Sequence, residues 1–324
     1  MGIPYPRPGR SYAFVRGREL EGSYPGPPNI GTWLVTAQRV GKGWGHAPDA
    51  AWPYNPEEWP PLEPPGVDAI AKQQRTTAYS RCRTLDDCRR ILAKGGGVLA
   101  AFQIDGSWIR SDGNIADPRN HAPQATHSLL LFGKDDRSEA FRFLNSWGPD
   151  WGDDGYGFLP YRYWSDRLLE AWNPDNRAVD PKMIALHSGV DVMVTRAENW
   201  AGRQNHLVEV RDFDADEILG WAVLVETSDG LEMEELFVRP AFRQMGHGRT
   251  LATAVGELRS QFQAPLKVWI PHADWPESTQ QAALFNRLGL QTIPAEVRWA
   301  AACAVERTTV VASTGRKRTT KALS

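Results

Sequence analysis

Hydrophobic and polar positions keep different rhythms in different parts of the chain. Trp33, Ala37, Val40 and Trp44 recur every three to four residues, one face of a short helix opening near Thr32, which suits an N-cap. Leu85, Cys88, Ile91 and Leu92 mark a second short amphipathic helix, stopped by the glycines at 95–97. Four strand-like runs follow, at 98–104, 127–132, 140–145 and 156–159, separated by Gly- and Asp-rich turns. The segment 171–181 has turn composition and no apolar period, and the domain boundary is placed there. Beyond it, strands are predicted over 206–211, 217–225 and 231–238, then a helix on which Leu251, Val255, Leu258 and Phe262 share a face. A strand over 266–270, a short helix over 278–288 ending at Gly289 and a last strand near 296–305 complete the pattern. This order predicts an α+β first half, helices then an antiparallel sheet, and a mixed α/β second half with helices on the faces of a mixed sheet. The expected units are residues 1–175 and 183–308, followed by a flexible basic tail over 309–324.

Composition changes this picture little but removes several classes of function. Of 324 residues 41% are hydrophobic, enough to bury a core, and 37 Lys+Arg against 39 Asp+Glu leave a net charge of −2. That balance argues against nucleic-acid and anionic-membrane partners. No apolar run approaches the ~18–20 residues of a membrane span, and MGIPYPRPGR lacks the apolar core of a secretory signal. Three scattered cysteines, Cys82, Cys88 and Cys303, make neither a disulfide framework nor a Cys-rich metal site, so a cytoplasmic chain with reduced thiols and no metal is expected. Prolines and tryptophans crowd the first 70 residues, where they favour extended or turning backbone.

One dense motif lies in the first half. NSWGPDWGDDGYGFLPY begins at Asn145, and His127 opens HSLLLFG eighteen residues earlier. Together these resemble the C-terminal half of papain-like cysteine peptidases. GTWLVTAQRV with AWPYNP, and TLDDCRRILAKGGGVLAAFQI, extend the resemblance over roughly residues 10–170. It implies His127 as catalytic base, Asn145 as the residue that orients its ring and Trp147 as a shield from water. A thiol with its ordinary pKa of about 8.5 needs such an imidazole to be held as thiolate at neutral pH. The nucleophile itself is missing from the expected place: no cysteine precedes Cys82, and no glutamine precedes Gln38 to supply an oxyanion donor. Cys82 and Cys88 read as small packing residues. Without a thiol the His–Asn pair performs no acyl transfer, so peptidase activity is expected to be absent. The half is then a peptide-binding remnant, or a fold completed by a partner chain or by coding sequence upstream of Met1.

A second motif lies in the other half. Arg243-Gln244-Met245-Gly246-His247-Gly248 follows the strand run LFVRP and precedes a helix. Positive-φ glycines and a helix N-terminus make an array of backbone N–H donors able to hold a pyrophosphate, and the helix dipole adds to it. In this context the loop resembles the acetyl-CoA site of GCN5-related N-acetyltransferases (GNAT), and AALFNRLGL resembles their final helix, over about residues 190–305. The resemblance implies binding of acetyl-CoA or another acyl-CoA by Arg243, Gln244, Met245, Gly246, His247, Gly248, Arg249 and Thr250. It also implies an oxyanion donor on the backbone near Phe237 or Val238. Base candidates are Glu234 and Glu235, which strand alternation places on opposite faces, and His272. Phe285 stands where many members carry a thiolate-protonating tyrosine. Few residues precede the first clear strand, leaving little room for the first strand and two helices that line the acceptor site in the family, so the acceptor half is expected to be shortened. A shallow, open site for an amine of a protein or peptide follows. The leading expectation is an N-acetyltransferase fused to a papain-like module; the alternatives are a hydrolase whose cysteine comes from outside this chain and a non-catalytic peptide-binding protein.

Overall fold

The computed structural model describes residues 9–175, 182–187, 190–228, 230–262, 266–269 and 291–293. The helix over 278–288, the strand near 296–305, His272, Phe285, Cys303 and the tail 309–324 lie outside the described residues. The first half begins with helices α1 (Arg10–Leu20), α2 (Leu34–Gly43) and α3 (Val67–Lys72). Its sheet contains β1 (Ala78–Arg81), β2 (Val98–Ile104), β3 (Ala125–Asp135), β4 (Ala140–Leu144), β5 (Tyr156–Pro160) and β6 (Leu168–Asp175), with α4 (Leu85–Ala93) and α5 (Arg162–Asp166) between strands. All described pairings in the order β1-β6-β2-β3-β4-β5 are antiparallel. The second half has β7 (Lys182–His187), β8 (Val190–Glu198), β9 (Gln204–Asp212), β10 (Glu217–Thr227) and β11 (Gly230–Val238) as an antiparallel meander. After α6 (His247–Ser260), β12 (Leu266–Trp269) and β13 (Gln291–Ile293) continue the same sheet in parallel. A mixed sheet follows an antiparallel one, as the hydrophobic pattern predicts.

Local chemistry explains the helix boundaries. Thr84 closes a capping box on α4: its hydroxyl accepts the Asp87 N–H at 3.0 Å and its own N–H donates to Asp87 Oδ2 at 3.1 Å. α2 begins after Trp33, and Thr32 does not cap it; the carboxylate of Glu170 on β6 accepts the Leu34 N–H at 2.6 Å and the Val35 N–H at 3.3 Å. α1 lies within the Pro-rich stretch that predicts extended backbone. Its buried side includes Ser11 and Arg18 beside Tyr12 and Val15, so no apolar period announces it. The Arg18 guanidinium donates to Pro27 O at 2.8 Å and to Ile30 O at 3.3 Å, making a charged side chain part of the interior. The segment 171–181 also needs correction, because residues 171–175 are the end of β6 and not a turn. Pairing on both sides, with β1 and β2, and burial of Trp172 outweigh the turn propensity of Asn173 and Pro174.

The two halves share a core. α6 packs on one face of the second sheet, over Val208, Val210, Leu224 and Met233. The opposite face meets the first half, where Val35, Tyr79 and Trp172 pack with Leu207, Ile218, Trp221, Val223 and Phe237. α2 therefore covers part of the face of the second sheet opposite α6. α2 approaches closely at Gly43, where a Cβ would lie 3.2 Å from Trp221. Charges are buried in this junction as well. Lys42 Nζ donates to Glu209 Oε1 at 2.6 Å, both side chains being under 5% exposed. Arg39 makes a two-pronged contact with Glu235, at 2.8 and 3.2 Å. Arg83 joins Glu232 at 2.6 Å and Glu234 at 2.8 Å. Arg203 of the second half returns the contact at 2.7 Å to both oxygens of Asp87, the α4 capping acid.

Removing one member of a buried pair leaves the other charge without compensation, which costs about 3–5 kcal/mol. Lys42→Met is expected to destabilise the whole chain by that order, read as a lowered midpoint of a single denaturation transition. Burial pushes the Glu209 carboxyl up, but Lys42 and Arg211 more than offset this and hold it below the usual range. A depressed carboxylate stabilises the fold fully above its unfolded pKa of about 4.3 and loses that contribution as pH falls through the lower folded value. The acid limb of wild-type stability should carry this slope, and Lys42→Met should flatten it.

Candidate functional site

The glycine loop lies between β11 and α6 on the surface. A single turn of 3₁₀ helix, Pro240–Phe242, leads from the strand into it. Gln244 and Gly246 adopt positive φ, 65° and 93°, which turns successive amides toward one side. Nothing lies within 4 Å of where a Gly246 Cβ would stand, and α6 has no side-chain cap. Among the described hydrogen bonds, the backbone N–H groups of Gln244, Met245, Gly246, His247 and Gly248 serve no protein acceptor. These donors and the start of a 14-residue helix are of the kind that suits a diphosphate. Gln244, Met245 and Arg249 are exposed, while His247, Gly248 and Thr250 are half-buried at the helix start. Arg243 is held differently: its Nε–H donates to Val238 O at 3.0 Å and its guanidinium lies over the Phe237 ring at 5.7 Å, so it fastens the loop to the strand.

The strand before the loop departs from simple alternation. Across β10 and β11, Val223 faces Glu235 and Leu224 faces Met233, so Glu234 is the extra residue of a β-bulge. Met233 and Leu236 point to the α6 side, whereas Phe237 joins the junction core. The bulge brings both Glu234 and Glu235 to the junction side, not to opposite faces. Glu234 accepts the Arg81 N–H at 3.0 Å as well as Arg83. Glu235 accepts Arg39 and, at 3.4 Å, the Tyr79 hydroxyl, which in turn accepts the Trp221 indole N–H at 2.9 Å. Burial and the adjoining Glu235 carboxylate push the Tyr79 hydroxyl well above its usual pKa, so it remains a donor. Two carboxylates expected as bases are thus engaged by arginines in the interior. Described pairing of β11 with β12 covers Leu231–Met233 alone and stops at the bulge, beyond which lie the backbone groups of Phe237 and Val238. The Phe237 side chain is itself buried in the junction, against Trp221 at 4.8 Å.

In the first half, β3 and the loop after β4 bring His127 and Asn145 together. His127 Nε2 lies 2.8 Å from Asn145 Oδ1, with the ring of Trp147 at 4.7 Å from the imidazole and Trp108 at 6.3 Å on another side. Burial lowers the His127 pKa and the Asn145 hydrogen bond partly restores it. Asn145 Nδ2 is buried and makes no described hydrogen bond. Cys82 and Cys88 are fully buried in the core around α4, and no described contact joins either to His127. Burial and the neighbouring Cys88 raise the Cys82 thiol well above its ordinary value, the reverse of an activated nucleophile.

The GNAT acetyltransferase family model matches residues 166–289. An uncharacterized peptidase C1-like protein of Acanthamoeba polyphaga mimivirus is 25% identical over 176 residues, which are 50% of this chain and 56% of that protein. The chain joins a papain-like half to a GNAT domain. A cathepsin B-like protein of Giardia intestinalis is 30% identical over 70 residues, 21% of this chain and 23% of its own length. Xylellain, a cysteine protease from Xylella fastidiosa, is 27% identical, with a TM-score of 0.48 over 53% of this chain and 70% of that one. The chain spans about half the length of the first of these curated relatives and less of the second. The match to the GNAT model begins two residues before β6, so it takes in a strand that pairs within the papain-like sheet.

Sequence reading missed the residues that join the GNAT domain to the papain-like half: Arg39, Lys42, Tyr79 and Arg83. A signal was present on the acidic side. Glu209 and Glu235 interrupt the apolar runs LVEV and EELFV, and an acid within such a strand needs a buried cation. The identity of that cation is not local information, since the partners lie more than 150 residues upstream in most pairs. For the His127 site, nuclear magnetic resonance titration should place the imidazole below the ordinary histidine value of about 6.5. Asn145→Ala should move it lower still; an upward shift would contradict this account of the pair.

Proposed function

We propose that the chain is an N-acyltransferase that uses acetyl-CoA, with an amine of a protein or peptide as acceptor. The observation that carries the reading is the row of unengaged amides from Gln244 to Gly248 at the start of α6, inside the region matched by the GNAT family. These amides and the positive end of the helix would hold the diphosphate. When bound, acetyl-CoA supplies a thioester carbonyl as the electrophile. The β11 backbone near Phe237 and Val238, just before the cofactor loop, would supply the N–H that meets a developing oxyanion. The acceptor amine, if a lysine with a pKa of about 10.4, must lose a proton before it attacks. With Glu234 and Glu235 ion-paired in the junction, His272 is the base candidate that this reading retains. The papain-like half favours a polypeptide over a small-molecule acceptor, because its curated relatives are named as peptidase C1-like and cathepsin B-like proteins. Buried free thiols at Cys82 and Cys88 suit a reducing, cytoplasmic setting.

A second reading concerns the papain-like half alone. The His127–Asn145 pair is already set at 2.8 Å, and the two described thiols are buried in the core with no described contact to it. We read the half as without peptidase activity in this chain, and as able to work as a hydrolase where a cysteine supplied from outside the given sequence, by a partner chain or an upstream segment, meets His127.

Acetyl-CoA is expected to raise the thermal midpoint of the purified chain, and Gly246→Trp to remove that effect by filling the loop and straining a positive-φ position. Labelled acetyl-CoA should pass its label to polypeptides in preference to small polyamines; the reverse preference would overturn the acceptor assignment. Peptide substrates with a thiol reductant should give no turnover. Turnover that disappears on His127→Ala would overturn the inactive reading of the papain-like half.

A further inference from the structure

We infer that the papain-like half is a working part of the transferase, with Arg39 and Arg83 as positioning residues that hold the β11 bulge in register for acyl transfer. The inference rests on the acyltransferase reading above, but the structural observation behind it stands apart from that reading. A bulge that sends two consecutive carboxylates to the same side is unfavourable by itself, because like charges crowd together and one residue leaves the ladder. At Glu234 and Glu235 every described charge partner comes from the papain-like half. Arg83 and the Arg81 N–H take Glu234, at 2.8 and 3.0 Å. Arg39 takes Glu235 at 2.8 and 3.2 Å, and the Tyr79 hydroxyl adds a third contact at 3.4 Å. Arg83 also reaches Glu232 on the regular part of the strand, so one guanidinium spans the step from ladder to bulge.

The position of the bulge matters because it decides what the rest of the strand does. Described pairing with β12 stops at Met233, the residue before it. After it, Leu236 faces α6 and Phe237 faces the junction. A slip of one residue would exchange these two and turn the backbone groups near Val238, to which Arg243 ties the cofactor loop. Arg39 therefore acts twice along one line: its guanidinium fixes Glu235 and lies 4.8 Å from the Phe237 ring, over which Arg243 also lies. The donor end of the site is thus set from outside the GNAT domain. Lys42–Glu209 is the natural comparison. It is equally buried and crosses the same junction, but it anchors β9, two strands away from β11 in the sheet.

The test uses the full chain with Arg39→Gln, Arg83→Gln, the milder Arg83→Lys, and Lys42→Met as the comparison. Each variant is assayed below its own thermal midpoint for kcat, for CoA affinity by calorimetry, and for backbone amide exchange over residues 234–238. A misplaced reacting group can cost on the order of 10²-fold, so kcat is expected to fall ~10- to 100-fold in Arg39→Gln and Arg83→Gln. CoA affinity should stay within about threefold, since the α6 amides are untouched. Arg83→Lys should recover part of the loss, and Lys42→Met should lose thermal stability while retaining kcat. Amide exchange over 234–238 should quicken in the two Gln variants and not in Lys42→Met. Wild-type kcat in both Gln variants, or an equal loss of kcat in Lys42→Met, would overturn the inference. Should wild type transfer no acyl group to any acceptor, the acyltransferase reading fails and exchange alone decides the clamp: unchanged exchange in the Gln variants refutes it, and faster exchange confined to them upholds it.

Discussion

Charge buried between the two halves governs the architecture of this chain. Acids on the second sheet meet bases carried by the first half: Glu209 on β9 with Lys42, Glu232, Glu234 and Glu235 on β11 with Arg83 and Arg39. At the edge of the junction Glu217 on β10 is reached by Lys72 and Arg75. Such pairs add little net stability over apolar packing, because desolvation consumes most of the attraction. What they exclude is misalignment. An apolar interface tolerates a slide of a few ångströms, whereas a slide here strands several unpaired charges in a dry interior. The aromatic core of Tyr79, Trp172, Trp221 and Phe237 provides the area that holds the halves together, and the ion pairs provide the register.

This division of labour also explains how much the sequence reveals. α2, α4, α6 and most of the strands are legible because each repeats its apolar residues at the period of its own geometry. α1 is hidden because it packs an arginine and a serine inward, and the end of β6 because its turn-forming residues are overruled by pairing with β1 and by the buried Trp172 beside them. The loop Arg243–Gly248 is legible because its glycines, strand and helix are contiguous. The His127–Asn145 pair is legible because its aromatic and glycine spacing is dense, and the structure brings the two side chains together. The fate of Glu234 and Glu235 is not legible. A bulge shifts the parity on which any alternation argument depends, and the arginines that fix it belong to a distant part of the chain.

The two constellations are held in contrasting ways. The loop amides of the GNAT domain carry no partner among the described residues, an arrangement stabilised by glycine conformations and by the Arg243 tether. The imidazole of the papain-like half is enclosed by Trp108 and Trp147 and already has its amide partner. One is a receptor for a ligand, built around exposed donors. The other is a preset pair whose remaining ring nitrogen and neighbouring Asn145 amide lack described partners.

At Gly43 the last turn of α2 lies against Trp221, close enough that a Cβ would make its neighbours give by a few tenths of an ångström. Side chains of increasing size at that one position would act as shims of graded thickness, pressing on the Trp221 ring and the Arg239 stem without adding or removing a charge. Spacing at the junction then becomes a variable adjusted by volume, with the inventory of charges unchanged.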